Sequence, residues 1–233
     1  MDMQTFWREV EKIADEFNIG RHPLVQRINE GKAAKEHLKQ FAIEHYEMTV
    51  RDSGPYIAQG YVNMAKLDAL GAELMAENFA EEAMGEHTHT GGHCELLYEF
   101  WEKGLGLPRE ELATSSASAA ARATNAYFWH MMTNKIRYSG ALGMLEGGFS
   151  LACEKMLAGL QTHYGMKPEA LRFFSGHVEA DREHGKTGRK LIEKLLATER
   201  DRQEFLKRPL GLTLMRDVVH LPAYHAEQPR GLR

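Results

Sequence analysis

The stretch "FFSGHVEADREHG" (residues 173–185) holds three side chains of the metal-ligand type, His177, Asp181 and His184. In an α-helix each residue advances about 100°, so these three positions fall within about 60° of one another. Apolar residues before and after them extend the same face, while charged residues occupy the opposite face. The pattern predicts a helix that buries two imidazoles and a carboxylate, and buried polar groups need partners. A metal ion would meet this need; so would a buried Asp–His hydrogen-bonded pair with the second histidine at the rim.

Helix signals dominate the rest of the chain, and no alternating strand pattern bounded by hairpin turns is present. Glycines and prolines separate the predicted helices. These helices lie near residues 3–17, 23–30, 33–52, 55–68, 69–86, 92–104, 114–136, 139–164, 168–197 and 199–207. The 233 residues therefore predict a single all-α domain over residues 1–208. Residues 209–233 are predicted to form a partly irregular C-terminal extension.

Composition and charge exclude several classes of function. The net charge is −4, and no basic patch suggests nucleic acid or an anionic membrane as a partner. Two cysteines are too few for a disulfide framework and favour a reducing, cytoplasmic location. The N-terminus is amphipathic and charged throughout, so it does not resemble a signal peptide. No apolar run reaches the roughly 18 residues that a membrane span needs.

A second candidate ligand lies in "SGALGMLEGGFSLACEKML" (residues 139–157). Glu146 shares a helix face with Leu142, Phe149 and Cys153, so its carboxylate is predicted to point toward the core. A carboxylate in an apolar stripe is costly unless a positive charge compensates it. A metal ion, a buried Glu–Arg pair, or a register that exposes Glu146 would each remove that cost.

The third candidate segment is "ENFAEEAMGEHTHTGGHCELLYEFW" (residues 77–101). Glu82 lies on an apolar helix face, and His93 opens the following helix after a glycine pair. We predict Glu82 and His93 as ligands. Glu81 or Glu86 remains an alternative to Glu82, and His89 remains an alternative to His93.

Together the three segments supply a mixed set of carboxylates and imidazoles, which suits iron or manganese better than a cysteine-type structural zinc site. Six ligands are enough for two metal ions. The predicted set is Glu82, His93, Glu146, His177, Asp181 and His184. A ferritin-like bundle, built on Glu-x-x-His motifs, is the competing arrangement, but it would leave Glu146 and His177 without a role.

These motifs resemble the heme-oxygenase-like diiron oxidases, whose fold is shared by the TenA thiaminases and the pyrroloquinoline quinone synthesis protein C (PqqC)-like proteins. The family pattern is a Glu, then a His, a central Glu, and His-x3-Asp-x2-His. Residues 177–184 match its last part, and Glu82, His93 and Glu146 match the others. The interval from Glu82 to His93 is longer than the shortest family spacing.

The resemblance implies a heme-oxygenase-like helical bundle holding two iron ions, with manganese as the alternative metal. It implies O2 as co-substrate and either N-oxygenation of an amine or oxidative C–C cleavage of a small biosynthetic metabolite. A homodimer and an external electron donor are expected on the same ground. It also suggests Tyr46 as a substrate contact, and His45 and His130 with Tyr46 as supports for the imidazoles. The alternative functions are a metal-free PqqC-like oxidase or small-molecule-binding protein, and an iron-handling or purely structural helical protein.

Overall fold

The computed structural model describes residues 1–16, 18–86, 89 and 91–207, and the described part contains helices and no strand. The α-helices are α1 Met3–Glu16, α2 Pro23–Asn29, α3 Lys35–His45, α4 Ser53–Met64, α5 Ala69–Met84, α6 His93–Glu99, α7 Arg109–Ala113, α8 Ala119–Asn134, α9 Gly140–Tyr164, α10 Arg172–Leu195 and α11 Glu199–Leu206. Short 3-10 turns lie at Ile19–Arg21, Ile136–Tyr138 and Pro168–Ala170. None of these helices is both long enough and apolar enough to span a membrane. The predicted all-α class is confirmed, and the predicted extension over residues 209–233 lies outside the described residues.

Some helices begin or end at residues other than those predicted from the sequence, because capping residues set their ends. The predicted helix 69–86 ends at Met84, because Gly85 adopts a left-handed φ of 63° and caps α5. The predicted helix 114–136 begins at Ala119, because the Ser118 side chain accepts a hydrogen bond from the Ala121 N–H. A short helix over Arg109–Ala113 was not predicted. The predicted helices 33–52 and 92–104 each end in a π-helical turn, at Tyr46–Val50 and Phe100–Gly104.

The packing of α9 against α10 forms the centre of the fold, and glycines allow it. At Gly143 an added Cβ would collide with the His184 carbonyl, and at Gly188 it would lie 2.5 Å from the Gly140 carbonyl oxygen. The two backbones therefore approach so closely that side chains are excluded from the contact. This approach brings Glu146 on α9 next to the ligand-type residues of α10.

Aromatic side chains fill the core around this pair of helices. Phe173 and Phe174, at the start of α10, are fully buried and pack edge to face with each other. Phe174 also contacts Phe41 of α3 and Phe100 after α6. A smaller cluster holds α1 against the C-terminal end of α10. The apolar packing fixes α10 on several sides, so its polar face is held in one position.

Candidate metal centre

Helix α10 places its three predicted ligands on one inward face. Asp181 is 1% exposed and His177 is 5% exposed, while His184 is half-buried. The Nδ1 atom of His177 lies 2.6 Å from the Phe173 carbonyl oxygen. A carbonyl only accepts hydrogen bonds, so Nδ1 carries the proton and Nε2 keeps its lone pair. The backbone thereby fixes the tautomer in which His177 can ligate a metal ion.

Glu146 of α9 reaches the same point from the facing helix. One of its carboxylate oxygens lies 3.2 Å from His184 Nδ1, and an Asp181 oxygen lies 3.7 Å from the same nitrogen. Ligand atoms of Glu146, Asp181 and His184 all fall within 4.8 Å of one another. Three such atoms at this separation can bind one metal ion.

Glu82 and His93 form the other half of the site. A Glu82 oxygen lies 2.8 Å from His93 Nδ1, and the His93 and His177 ring centroids are 4.3 Å apart. The loop between α5 and α6 makes this possible, because Gly92 has a φ of 91° and presses against the end of α5. A Cβ on Gly92 would lie 2.7 Å from the Ala83 carbonyl oxygen. Gly92 thus lies directly against the end of α5, and His93, the next residue, is brought close to Glu82.

Several polar atoms of this cluster have no hydrogen bond within the described chain, although Glu146 and His184 lie close enough to form an ion pair. Atoms without a hydrogen bond include His93 Nε2, Glu146 Oε2, Asp181 Oδ2 and His184 Nδ1. Such groups are costly to bury, and proteins rarely leave several of them together. Carboxylate oxygens and imidazole nitrogens that converge in this way fit an iron ion. The residues present are therefore suited to hold the metal.

The charges point to the same need for a cation. Burial raises the pKa of Asp181 to about 7, and the nearby Glu146 carboxylate adds to the rise. Although burial opposes it, Glu146 and Asp181 raise the pKa of His184 to about 11. Glu82, against the same opposition from burial, raises the pKa of His93 to about 10. Protons on two imidazoles thus supply the positive charge that the carboxylates require when metal is absent.

A cavity of about 40 Å³ lies between the two halves of the site. Glu82, His93, Glu146, His177 and Asp181 all line it, so five of the six predicted ligands face one small space. Its remaining walls are mainly apolar and come from α3, α4, α8, α9 and the π-helical turn after α3. The candidate ligands therefore face a small space that is closed on its other sides largely by apolar side chains.

Two further residues that line the small cavity, His45 and Tyr56, have buried polar side chains. His45, named above as a support, stacks on Phe149 with 4.9 Å between ring centroids, and burial lowers its pKa to about 3. Its Nδ1 has no hydrogen-bond partner among the described residues. Tyr56 of α4 was missed in the sequence, where nothing separates it from other core aromatics; burial raises its pKa well above the usual value. Both side chains are neutral, so neither adds charge to the chamber.

The structure does not bring the remaining candidates to this chamber. The hydroxyl groups of Tyr46 and Tyr98 form a hydrogen bond of 3.0 Å, in which either can be the donor. Tyr46 lines neither this cavity nor the larger one described below. His130 is exposed and lies 3.3 Å from the Asn134 amide. Glu86 and His89 are also exposed, and His89 has a positive φ of 53°. Their positions give no support to a role for these residues in the site.

Glu81 is the alternative ligand that the structure keeps close. It is 1% exposed, and its carboxylate lies 3.6 Å from His93 Nε2, on the other side of the ring from Glu82. Glu82 lines the small chamber with four other predicted ligands, whereas Glu81 lines a larger, adjoining cavity with only two of them, Glu146 and His184. This difference favours Glu82 as the ligand.

Replacement of each glutamate by glutamine tests this assignment. We expect Glu82→Gln to lower iron content at least tenfold, since an amide supplies neither the charge nor the second oxygen donor. Glu81→Gln is expected to leave the iron content near that of the wild type. The measurement is iron per chain after anaerobic loading and desalting. The reverse order of the two variants would make Glu81 the ligand and Glu82 the partner of His93 Nδ1.

Comparison with known proteins agrees with the geometry. The family described as "iron-containing redox enzyme" matches residues 39–209. A 4-aminobenzoate synthase of Chlamydia muridarum is 26% identical over 200 residues, covering 84% of this chain and 81% of its own.

Solved structures show the same fold. A protein of unknown function with a heme oxygenase-like fold from Shewanella denitrificans superposes with a TM-score of 0.74 at 16% identity, covering 97% of this chain and 93% of its own. A TenA homologue from Pseudomonas syringae pv. tomato has a TM-score of 0.71 at 13% identity, with coverages of 93% and 91%. The predicted resemblance is thereby confirmed for fold and for iron-dependent redox chemistry. Since the family match spans well over half of the chain, this protein belongs to the iron-containing redox enzymes, metal-dependent oxidoreductases that here have a heme-oxygenase-like fold.

Proposed function

We propose that this enzyme activates O2 at two iron ions and oxidises a small metabolite, by N-oxygenation of an amine or by oxidative C–C cleavage. The proposed ligands are Glu82, His93, Glu146, His177, Asp181 and His184. The observation that carries the proposal is the convergence of buried and half-buried carboxylate and imidazole atoms, several of them without a hydrogen bond in the described chain, at one point of the core. When bound, the iron ions supply the redox chemistry and the binding of O2.

The chain's own residues divide into two groups that support two ions. Glu146, Asp181 and His184 form a compact set across the α9–α10 contact. Glu82, His93 and His177 form the second set, in which the two imidazole rings face each other. Three carboxylates in total balance most of the charge of two divalent cations, which limits the cost of burying them.

Other residues orient the ligands and exclude water. The Phe173 carbonyl holds His177 in the ligating tautomer. Phe149 and Phe173 pack against the His177 ring, with centroids 5.4 and 4.3 Å away. An apolar surrounding of this kind protects reactive species from side reactions with water.

Similarity to proteins named 4-aminobenzoate synthases supports a small amine-type metabolite as substrate or product. Manganese remains the alternative metal, since the donor set suits it as well. The homodimer, the cytoplasmic location and an external electron donor also remain proposals.

Anaerobic titration with Fe(II), followed by a pulse of O2, tests the function. We expect binding to saturate near two ions per chain and the loaded protein to consume O2 with a transient visible absorption, because the six proposed ligands are enough for two ions. Asp181→Asn serves as the control and is expected to show neither response. Absence of iron binding, together with an organic molecule retained through purification, would favour the metal-free PqqC-like alternative.

A further inference from the structure

A second, larger cavity of about 430 Å³ adjoins the metal centre. Its inner end is formed by Glu81, Glu146 and His184, so a molecule in it would lie directly beside the proposed metal ligands. We propose that this cavity binds the organic substrate, and that the substrate is an apolar molecule bearing a protonated amine. The proposal rests on the proposed function, because it assumes that the chemistry occurs at this centre.

The walls of the cavity fit a small organic body. Its volume lies within the range of small-molecule sites, roughly 300–1,000 Å³. Apolar side chains from α4, α5, α8, α9 and α10 make up most of the wall: Ile57, Leu74, Met75, Met132, Leu142 and Leu191. Such a wall favours a hydrocarbon or aromatic body by burial of apolar surface.

Two unpartnered polar atoms are built into this apolar wall. Ser139 is 1% exposed, and its hydroxyl has no hydrogen-bond partner among the described residues. The Asn78 side-chain oxygen is also buried without a described partner, and it can only accept. Both residues line the cavity. A ligand that donates hydrogen bonds would satisfy them, and an ammonium group carries three donors.

The charges around the cavity select a cation over an anion. No lysine or arginine is among the described residues that line it. The charge of a protonated His184 is offset by Glu146 and Asp181 beside it, and the cavity is also lined by Glu77, Glu179 and Glu183. Glu183 pairs with Lys186 at 2.6 Å, but Glu77 and Glu179 form no ion pair within the described chain. Bound iron would compensate the inner carboxylates but not these outer ones. A substrate carboxylate would therefore meet like charge, while an amine would be attracted.

Three probes that share a phenylpropyl body but differ in their terminal group measure the effect of ligand charge on binding. Calorimetry would compare 3-phenylpropylamine, 3-phenylpropan-1-ol and 3-phenylpropionate, with 4-aminobenzoate as a fourth ligand, on metal-free and Mn(II)-loaded protein. We expect the amine to bind at least about tenfold more tightly than the alcohol, since it adds charge-assisted hydrogen bonds. Detectable binding of either carboxylate that equals or exceeds binding of the amine would overturn the proposal.

Variants locate the binding site. The double variant Glu77→Gln/Glu179→Gln is expected to raise the Kd of the amine about three- to tenfold at low ionic strength and to leave the alcohol unchanged. The double variant Glu36→Gln/Glu110→Gln changes the net charge equally on the distant α3 and α7 and should have no such effect. Ala180→Leu, at a half-buried position in the wall, should abolish binding of both probes. Unchanged amine binding in either cavity variant would place the site elsewhere and overturn the proposal.

The two proposals fail in different ways. If Fe(II) and Mn(II) do not bind but the metal-free protein prefers the amine, the proposed function fails and the cavity is left as an amine-binding site without a metal-dependent reaction. If iron binds and O2 is consumed but the amine is not preferred, the cavity assignment fails alone.

Discussion

Asp181→Asn is expected to remove iron from the protein and, at the same time, to stabilise the metal-free form. Asp181 is almost completely buried, and one of its oxygens has no hydrogen-bond partner among the described residues. An amide has nearly the same shape but no charge, so it cannot hold the cation and has no carboxylate desolvation to overcome. We expect iron content to fall at least tenfold. The free energy of unfolding of the metal-free protein should rise by on the order of 2–4 kcal/mol at pH 8.

The pH dependence of that gain follows from the direction of the pKa shift. Burial raises the pKa of Asp181 from 3.8 to about 7 in the folded protein. Between these two values the folded state binds more protons than the unfolded state, so stability falls as pH rises. Above about pH 7 the penalty is complete. The stabilisation by Asp181→Asn should therefore be largest above pH 7 and should shrink toward zero near pH 4.

Urea unfolding of metal-free protein at pH 5, 6, 7 and 8 measures this effect, with iron content determined in parallel. Glu193→Gln is the matched control, since Glu193 is exposed on the same helix and, among the described residues, pairs with Arg189. It should change stability by less than about 0.5 kcal/mol and leave iron content unchanged. A metal-free Asp181→Asn protein that is less stable than the wild type at pH 8 would show that Asp181 stabilises the fold without metal.

The sequence predicted the part of the site that depends on helical spacing. His177, Asp181 and His184 lie on one helix, so their common face follows from the residue numbers alone, and the same reasoning placed Glu146 toward the core. Glu82 and His93 belong to different helices, and their meeting depends on the backbone of Gly92. A periodicity argument cannot foresee a contact between two helices that are separated by a glycine-containing connection, which is why several alternatives remained open there.

The larger cavity could not be predicted for a related reason. Ser139 precedes α9 and Asn78 lies on α5, more than 60 residues earlier in the chain. Whether two such side chains share one space depends on tertiary packing, which local pattern does not encode. Tyr46 shows the same limit: it lies on the expected helical segment, but its hydroxyl contacts Tyr98, and it lines neither cavity, so its role as a substrate contact stays a prediction.

Gly143→Ala is expected to lower both stability and iron affinity, although Gly143 itself is not a proposed ligand. A Cβ at Gly143 would overlap the His184 carbonyl and lie 3.1 Å from the Gly188 Cα. Both obstacles are backbone atoms, so α9 and α10 would have to move apart rather than rearrange a side chain. We expect a loss of about 2–3 kcal/mol in the free energy of unfolding. Because Glu146 and His184 lie on opposite sides of this contact, iron affinity should fall with it.

Gly148→Ala provides the matched control on the same helix. Beyond its own turn of helix, a Cβ at Gly148 meets no atom of the described residues within 4 Å, so the substitution removes backbone entropy from the unfolded chain without a clash. It should stabilise the protein by up to about 1 kcal/mol, and iron content should not change. Thermal unfolding and iron analysis of both variants make the comparison. If Gly143→Ala retained wild-type iron content and stability, the close approach of α9 and α10 would not be what holds Glu146 against the ligands of α10.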